Sequence, residues 1–175
     1  MQLAGNPKIG GIICPPPTVH WTDTAVYAYP LAIKRDLVMH EGPEQWRSMY
    51  FRHPVTTFTV SGRAGRSMGV GFTEDTFEVL DVCAASTTHC WLFSFENGSV
   101  GYSNEWRATD AILPEDPAED ITVTSTLVPE LNEIHFTING RQTIKVKATH
   151  LDKMRLYPCV SLIHTGDKLR ILKED

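Results

Sequence analysis

An Asn-Gly pair at positions 139 and 140 separates two segments in which apolar and polar residues alternate. The first segment spans residues 133–138 and the second spans residues 141–148. Asn-Gly is the strongest short-range hairpin signal, because a type I′ turn needs a positive φ at both central residues. Alternation with one apolar face is typical of an antiparallel sheet that covers a core on one side. This stretch therefore predicts a β-hairpin with one buried face.

Other short segments have the same character, and turn signals recur between them. A second Asn-Gly pair, at positions 97 and 98, predicts a hairpin between residues 90–95 and 99–102. Residues 150–155 have room for one helical turn, but no long stretch shows the helical period of about 3.6 residues. Short strands with regular turns predict an all-β sandwich or barrel. The further candidate strands cover residues 27–33, 46–51, 55–60, 68–72, 121–127 and 157–163.

A chain of 175 residues is long enough for one domain with a substantial core. Residues 1–18 are interpreted as a flexible tail, because glycines loosen it and three consecutive prolines stiffen its end into polyproline II. Three prolines are weak support for a docking ligand, so a plain linker is the simpler interpretation. Residues 19–175 are expected to form the sandwich domain. The side chains expected to be mostly buried are Trp91, Phe93, Phe136, Ile138, Tyr157 and Val160.

Charge and cysteine content narrow the class of protein. A net charge of −5 and a pI near 5.8 disfavour nucleic-acid binding, which needs a basic face to displace counterions. No charged-then-apolar leader and no run of about 18 apolar residues is visible, so neither a signal peptide nor a membrane span is predicted. Cys14, Cys83, Cys90 and Cys159 are irregularly spaced, which indicates free thiols rather than a disulfide framework. We therefore expect an intracellular, cytoplasmic protein.

Two motifs suggest chemistry but lack the context that the chemistry requires. Residues 65–69 fit the G-x-S-x-G pattern of hydrolase nucleophile elbows, with Ser67 as the serine. That elbow is a strand-to-helix turn, whereas a strand-like segment follows here, so a turn between two strands is predicted. Cys83, His89 and Cys90 lack the paired short spacings of a structural zinc site, so we expect no metal.

Carboxylate spacing also bears on catalysis. Glycosidases need two carboxylates that flank the scissile bond, commonly from alternate positions on one strand face. No candidate strand carries Glu-x-Asp, and Glu115, Asp116, Glu119 and Asp120 are interpreted as a solvated acidic loop. Residues 97–99 match the N-glycosylation sequon, but without a leader they are interpreted as the hairpin turn. The sequence therefore predicts no catalytic residue and no cofactor.

Several segments, in order, follow a recognisable pattern. Residues 68–71 are a short strand with glycines, and residues 90–104 are a hairpin that begins with Cys-Trp. Residues 132–140 end a strand in Asn-Gly, residues 156–162 contain Leu-Tyr-Pro-x-Val, and residues 167–171 are a closing strand. These segments resemble the SPRY domain family. The last combination is the most specific, because a bare hairpin would not predict Tyr-Pro-x-Val behind it.

The resemblance covers roughly residues 19–172 and indicates a divergent member. Residues 115–127 lack the family's Gly-Asp-rich turn and Gly-Cys-type strand, and the part from Trp21 onward matches only loosely. The resemblance implies a bent antiparallel β-sandwich of the SPRY or concanavalin-like jelly-roll kind. It also implies a non-catalytic module of a larger protein or complex that binds a protein or peptide partner through loops.

Two loops contain the residue types that dominate protein–protein hot spots. Residues 103–112 carry Trp106 and Arg107, and residues 61–67 carry Arg63 and Arg66. Trp and Arg bury much area and still make directed polar contacts, so these four residues are the predicted partner-binding site. Large aromatics also cap the ends of sandwiches, so an alternative role for Trp106 is that of a lid on the core.

Other functions remain open on the sequence alone. A lectin-like glycan-binding domain would show a calcium requirement. A sandwich hydrolase would show an exposed aromatic in a concave groove together with paired carboxylates. A third hypothesis is a domain of an RNA-processing complex that acts through protein contacts. We expect no direct contact with nucleic acid and no membrane association.

Overall fold

The computed structural model describes residues 25–27, 31–34, 36–52, 55–74, 83–86 and 90–174. The predicted tail, residues 1–18, lies outside the described residues, as do Cys14, Trp21 and His89.

The described residues form fourteen strands, and all pairings between them are antiparallel. Sheet A has the order β1-β4-β13-β6-β7-β8-β9, and sheet B has the order β12-β11-β10-β5-β14-β3-β2. The predicted all-β sandwich is confirmed. The strands are β1 (Ala25–Tyr27), β2 (Leu31–Lys34), β3 (Leu37–His40), β4 (Arg47–Phe51), β5 (Thr57–Arg63), β6 (Met68–Glu74), β7 (Cys90–Ser94), β8 (Val100–Tyr102), β9 (Glu105–Arg107), β10 (Asp120–Val128), β11 (Glu133–Ile138), β12 (Gln142–Lys147), β13 (Leu156–Leu162) and β14 (Lys168–Glu174).

Both predicted hairpins form. Asn139 and Gly140 have φ values of +50° and +67°, as a type I′ turn requires. Strands β7 and β8 pair across the second Asn-Gly pair, where Gly98 has a φ of +76°. Within the described residues the helical segments are 3₁₀ turns at Ala84–Ser86, Pro129–Leu131 and Leu151–Lys153, the last inside the predicted helical turn.

The main core lies between the inner faces of the two sheets. Strands β5 and β11 alternate buried and half-buried residues, so one face of sheet B is buried and the other is polar. Phe58 of sheet B meets Phe72 of sheet A edge-to-face at 5.1 Å, and Phe93 meets Phe136 at 5.7 Å. All six side chains predicted to be buried are buried, five of them in this core and Tyr157 in a second cluster.

The central strands β7 and β13 of sheet A are buried on both faces, which the alternation of side chains did not predict. Every residue of β7 and β13 is buried. The outer face carries a second apolar cluster, which includes Tyr157, Leu92, Cys90 and Cys159. The 3₁₀ turn Ala84–Ser86 packs on this cluster. Sheet A is therefore the middle layer at this point, with the main core on its other side.

The loop predicted for residues 103–112 contains a strand, so that prediction is wrong for residues 105–107. Ser103 and Asn104 both have a positive φ and turn the chain directly from Tyr102 into Glu105, which pairs with it. A two-residue turn without glycine is a weak sequence signal, and three residues are too few to show a period. The strand β9 forms because β8 offers it a free edge.

Residues 27–33 were also predicted as one alternating segment. The structure instead places β1 beside β4 in sheet A and β2 beside β3 in sheet B. The chain therefore changes sheets within this segment, which alternation of side chains cannot indicate.

Candidate functional site

Connecting segments from both sheets meet at one end of the sandwich, which we call the loop end. Their backbones are tied to one another: Gly65 N–H donates to the carbonyl of Phe95 (2.8 Å) and Gln45 N–H to that of Ile163 (3.2 Å). The Thr165 hydroxyl donates to the Gly42 carbonyl (2.5 Å). These bonds join residues 64–67 to residues 95–99 and residues 41–46 to residues 163–167, and the ion pair between Arg66 and Asp167 links the two pairs of loops. The loop end comprises residues 41–46, 64–67, 95–99 and 163–167.

A cavity of about 230 Å³, the Trp106 groove, opens at the loop end. Trp106 lies opposite Gly101 in the β8–β9 pair, and a Cβ on this glycine would come within 2.9 Å of the indole. The missing side chain therefore makes room for the indole on the outer face of sheet A. Trp106 remains 44% exposed and is not part of either buried cluster. The groove is lined by Trp46, Ser67, Met68, Glu96, Asn97 and Trp106, among others.

Ser67 lies in this groove but in a context that differs from a nucleophile elbow. The turn that carries it joins β5 to β6, so the prediction of a turn between two strands is confirmed. Its hydroxyl donates to the Glu96 carboxylate at 2.6 Å. Among the described residues that line the groove, Glu96 is the one carboxylate. The carboxylate pair that the hydrolase hypothesis requires is therefore not assembled by these residues.

Arg107 points away from Trp106, because neighbouring residues of a strand face opposite sides. It lines a separate groove of about 740 Å³ between β9 and β12, together with Tyr102 and Lys145. Its guanidinium pairs with Glu105 at 2.9 Å, with 81% and 68% of the two side chains exposed. Such an exposed pair contributes at most about 1 kcal/mol to stability. Trp106 and Arg107 were predicted to act together, but they face opposite sides of β9.

Arg63 and Arg66 come together in a third groove, of about 630 Å³, which we call the basic groove. Arg63 is the last residue of β5 rather than a loop residue, and Arg66 lies in the turn that follows. Lys168 and Arg170 line the same groove. Met68 lines both this groove and the Trp106 groove, so the two adjoin.

Lys168, Arg170 and Trp46 were not predicted from the sequence as site residues. The two cations lie on the polar side of the closing strand, which was predicted as a strand. Their proximity to Arg63 depends on β14 lying beside β5, which are about a hundred positions apart in the chain. Sequence spacing carries no signal for such a juxtaposition.

The cysteines on the outer face of sheet A are not arranged for metal binding or nucleophilic attack. The sulfurs of Cys90 and Cys159 lie 3.7 Å apart, and both residues are buried. Burial raises the pKa of Cys83 to about 11 and raises the pKa of Cys159 well above its ordinary value. Their thiols are therefore protonated at neutral pH. Within the described ranges no three His, Cys, Asp or Glu side chains are grouped to hold a metal ion.

The described part of the chain contains no helix that is long and apolar enough to cross a membrane.

Comparisons with known proteins give the same architecture. No family model matches the sequence, and no curated protein matches it. A human SPRY domain superposes with a TM-score of 0.67 at 15% identity, covering 83% of this chain and 96% of that chain. The SPRY domain of human HERC1 superposes with a TM-score of 0.61 at 17% identity, covering 86% of this chain and 95% of that chain. Stonustoxin matches with a TM-score of 0.52 at 12% identity, over 81% of this chain and 26% of the toxin chain. The chain therefore has the fold of SPRY domains.

Proposed function

We propose that residues 19–175 form a non-catalytic module that binds a protein or peptide partner at the loop end, with Trp106 as the anchor. The observation that carries the proposal is the half-exposed indole of Trp106 in a groove lined in part by residues 64–67 and 95–99, two loops that a backbone hydrogen bond joins. A Trp that is already positioned loses little conformational entropy when a partner covers it. We also propose that the module belongs to a larger intracellular protein or complex.

The neighbouring structures support the coarse part of this proposal. Two of them are SPRY domains that the chain matches over more than four fifths of its length. The proposed site is supported by the positions of its side chains in this chain. Trp106, Arg63 and Arg66 lie at or beside the loop end, whereas Arg107 lies on the far side of β9. Arg107 is therefore a matched control on the same strand.

The test begins with affinity capture by the folded chain, identification of captured proteins by mass spectrometry, and calorimetric titration with a purified partner. Trp106→Ala should raise the Kd by about 30-fold, which is equivalent to a loss of about 2 kcal/mol of binding free energy. Arg107→Ala should leave the Kd unchanged.

Thermal melts of both variants separate the anchor from the lid hypothesis. If Trp106 serves as a lid, Trp106→Ala should lower the Tm by several degrees and leave the Kd unaltered. Trp106→Phe keeps an aromatic ring packed over Gly101, so it serves as a control for the stability that Trp106→Ala loses. Wild-type binding by Trp106→Ala to a validated partner would overturn the proposed site.

A further inference from the structure

The basic groove is a second surface, and its lining carries a net positive charge. We propose that it binds an acidic peptide segment, through the carboxylates of its Asp and Glu side chains. This inference rests on the proposed function and names the chemistry of one partner segment. It concerns a surface next to the Trp106 groove rather than the groove itself.

Sheet order gathers the cations of the groove. In β5 and β14, Arg170 pairs with Ser61 and Leu169 with Gly62, so the same register brings Lys168 beside Arg63. Both side chains are exposed at the end of sheet B. Two like charges placed side by side on a sheet destabilise it. Asp120 of β10 lies opposite Arg63 on the other side and offsets part of this repulsion, and a ligand of opposite charge would reduce the rest.

The other two cations are already held by carboxylates. Arg66 donates from Nε to Oδ1 of Asp167 at 2.7 Å, its Nη2 lies 2.7 Å from the same oxygen as an ion pair, and the Asp167 side chain is only 3% exposed. Arg170 donates from Nη1 to both oxygens of Asp36, at 2.8 and 2.9 Å. These pairs fix the two guanidinium groups in place. Each guanidinium has further N–H donors beyond those used here.

The remaining cations are free to bind. Arg63 and Lys168 form no ion pair or side-chain hydrogen bond with any residue that the structure describes. Four cations line the groove against two carboxylates, Asp120 and Asp167, so its lining carries a net charge of 4 − 2 = +2. Counting Asp36 beside Arg170 leaves +1. The whole chain, by contrast, carries −5.

The chemistry of the groove favours a short acidic peptide. An Arg guanidinium and a Lys ammonium together can take a carboxylate in charge-assisted hydrogen bonds. Leu37 and Met68 add apolar surface to the groove, which suits a peptide with mixed side chains. A long polyanion such as a nucleic acid would be repelled by the negative charge of the rest of the molecule.

The test uses a short fluorescein-labelled peptide of alternating Glu and Ser, with a Gln-Ser peptide of the same length as its neutral counterpart. Fluorescence anisotropy with the full chain should show binding of the Glu peptide that weakens with added salt. Arg63→Gln and Lys168→Gln should each raise the Kd about tenfold, as expected for the loss of one charge-assisted bond. Arg107→Gln and Lys145→Gln remove the same charge elsewhere and should leave the Kd unchanged.

Three results would overturn the proposal: no binding of the Glu peptide, equal binding of the Gln peptide, or equal loss in all four variants. Tighter binding of a labelled single-stranded RNA that the same Arg63→Gln change abolishes would assign the groove to nucleic acid instead. Thermal melts must show that each variant is folded. Trp106→Ala should bind the Glu peptide like the wild type, so failure of the Trp106 site and failure of the basic groove are distinguishable.

Discussion

At the scale of single residues, Asp167 shows how one side chain orders the loop end. Its buried carboxylate accepts hydrogen bonds from Arg66 and from the backbone N–H of His164. Its own backbone accepts from His40 N–H and donates to the His164 carbonyl, so the loop is held from two directions. A buried carboxylate is costly unless it is paired, which makes Arg66 as much a structural residue as a surface cation.

The two partners of this ion pair should not be equivalent. Arg66→Ala leaves a buried carboxylate with the His164 N–H and no cation, and should lower the free energy of unfolding by about 1–3 kcal/mol. Adding Asp167→Asn should recover part of that loss, because the second change removes the unpaired charge. Urea denaturation of the single and double variants measures both effects. Arg63→Ala, with no described partner, should stay within about 0.5 kcal/mol. A double variant less stable than Arg66→Ala would contradict the argument.

A second expectation at this scale concerns thiol chemistry. The pKa of Cys83 is raised to about 11, chiefly because burial disfavours the thiolate. At pH 7.5 less than about one thiol in a thousand would then be ionised, so alkylation should be slow. Iodoacetamide labelling followed by peptide mapping should find Cys83, Cys90 and Cys159 unmodified in the native protein and modified in urea. Rapid native labelling of Cys83 would show that its surroundings open in solution.

At the scale of elements, hairpins were predictable from sequence where the turn chemistry was explicit. The Asn-Gly pairs predicted the β11–β12 and β7–β8 connections, because a tight hairpin turn needs positive φ and Asn-Gly adopts it readily. The Ser103–Asn104 turn into β9 carries no such mark, so the strand that presents Trp106 was missed. The burial of β7 and β13 on both faces was missed as well, because the described residues that cover their outer face, Ala84–Ser86, form a short 3₁₀ turn. Local chemistry thus predicts neighbours in sequence better than it predicts what covers a face.

The glycines of β6 allow a prediction about an element. The backbone of β7 passes so close that a Cβ on Gly71 would overlap the carbonyl oxygen of Trp91, which cannot move without breaking the strand pair. A Cβ on Gly69 would instead meet Leu92 Cδ1 at 3.2 Å, the end of a side chain that can shift. Gly71→Ala should therefore cost about 3 kcal/mol and Gly69→Ala about 1 kcal/mol. Urea denaturation of the matched pair checks the order. Equal losses would mean that β7 moves freely away from β6.

At the scale of the whole molecule, the long-range pairings decide where the site residues meet. The closing strand β14 inserts between β5 and β3, and β13 inserts between β4 and β6. These insertions bring Lys168 and Arg170 to Arg63, and they tie residues 163–167 to the rest of the loop end. Strand order of this kind follows from global packing and not from local alternation. The composition of both grooves therefore became visible only with the fold.

The proposed domain boundary gives the last prediction. Deleting residues 1–18 should change the Tm by less than about 2 °C, because both sheets and both buried clusters are already formed by the described residues from Ala25 onward. Deleting residues 1–27 also removes β1, which pairs with Met49, Tyr50 and Phe51 of β4. That longer deletion exposes an edge of sheet A and should lower the Tm by several degrees, with a greater tendency to aggregate. Calorimetry of the two truncated chains against the full chain makes the comparison. If the shorter deletion destabilises the protein as much as the longer one, residues 1–18 are part of the folded domain and the boundary must be moved toward the amino terminus.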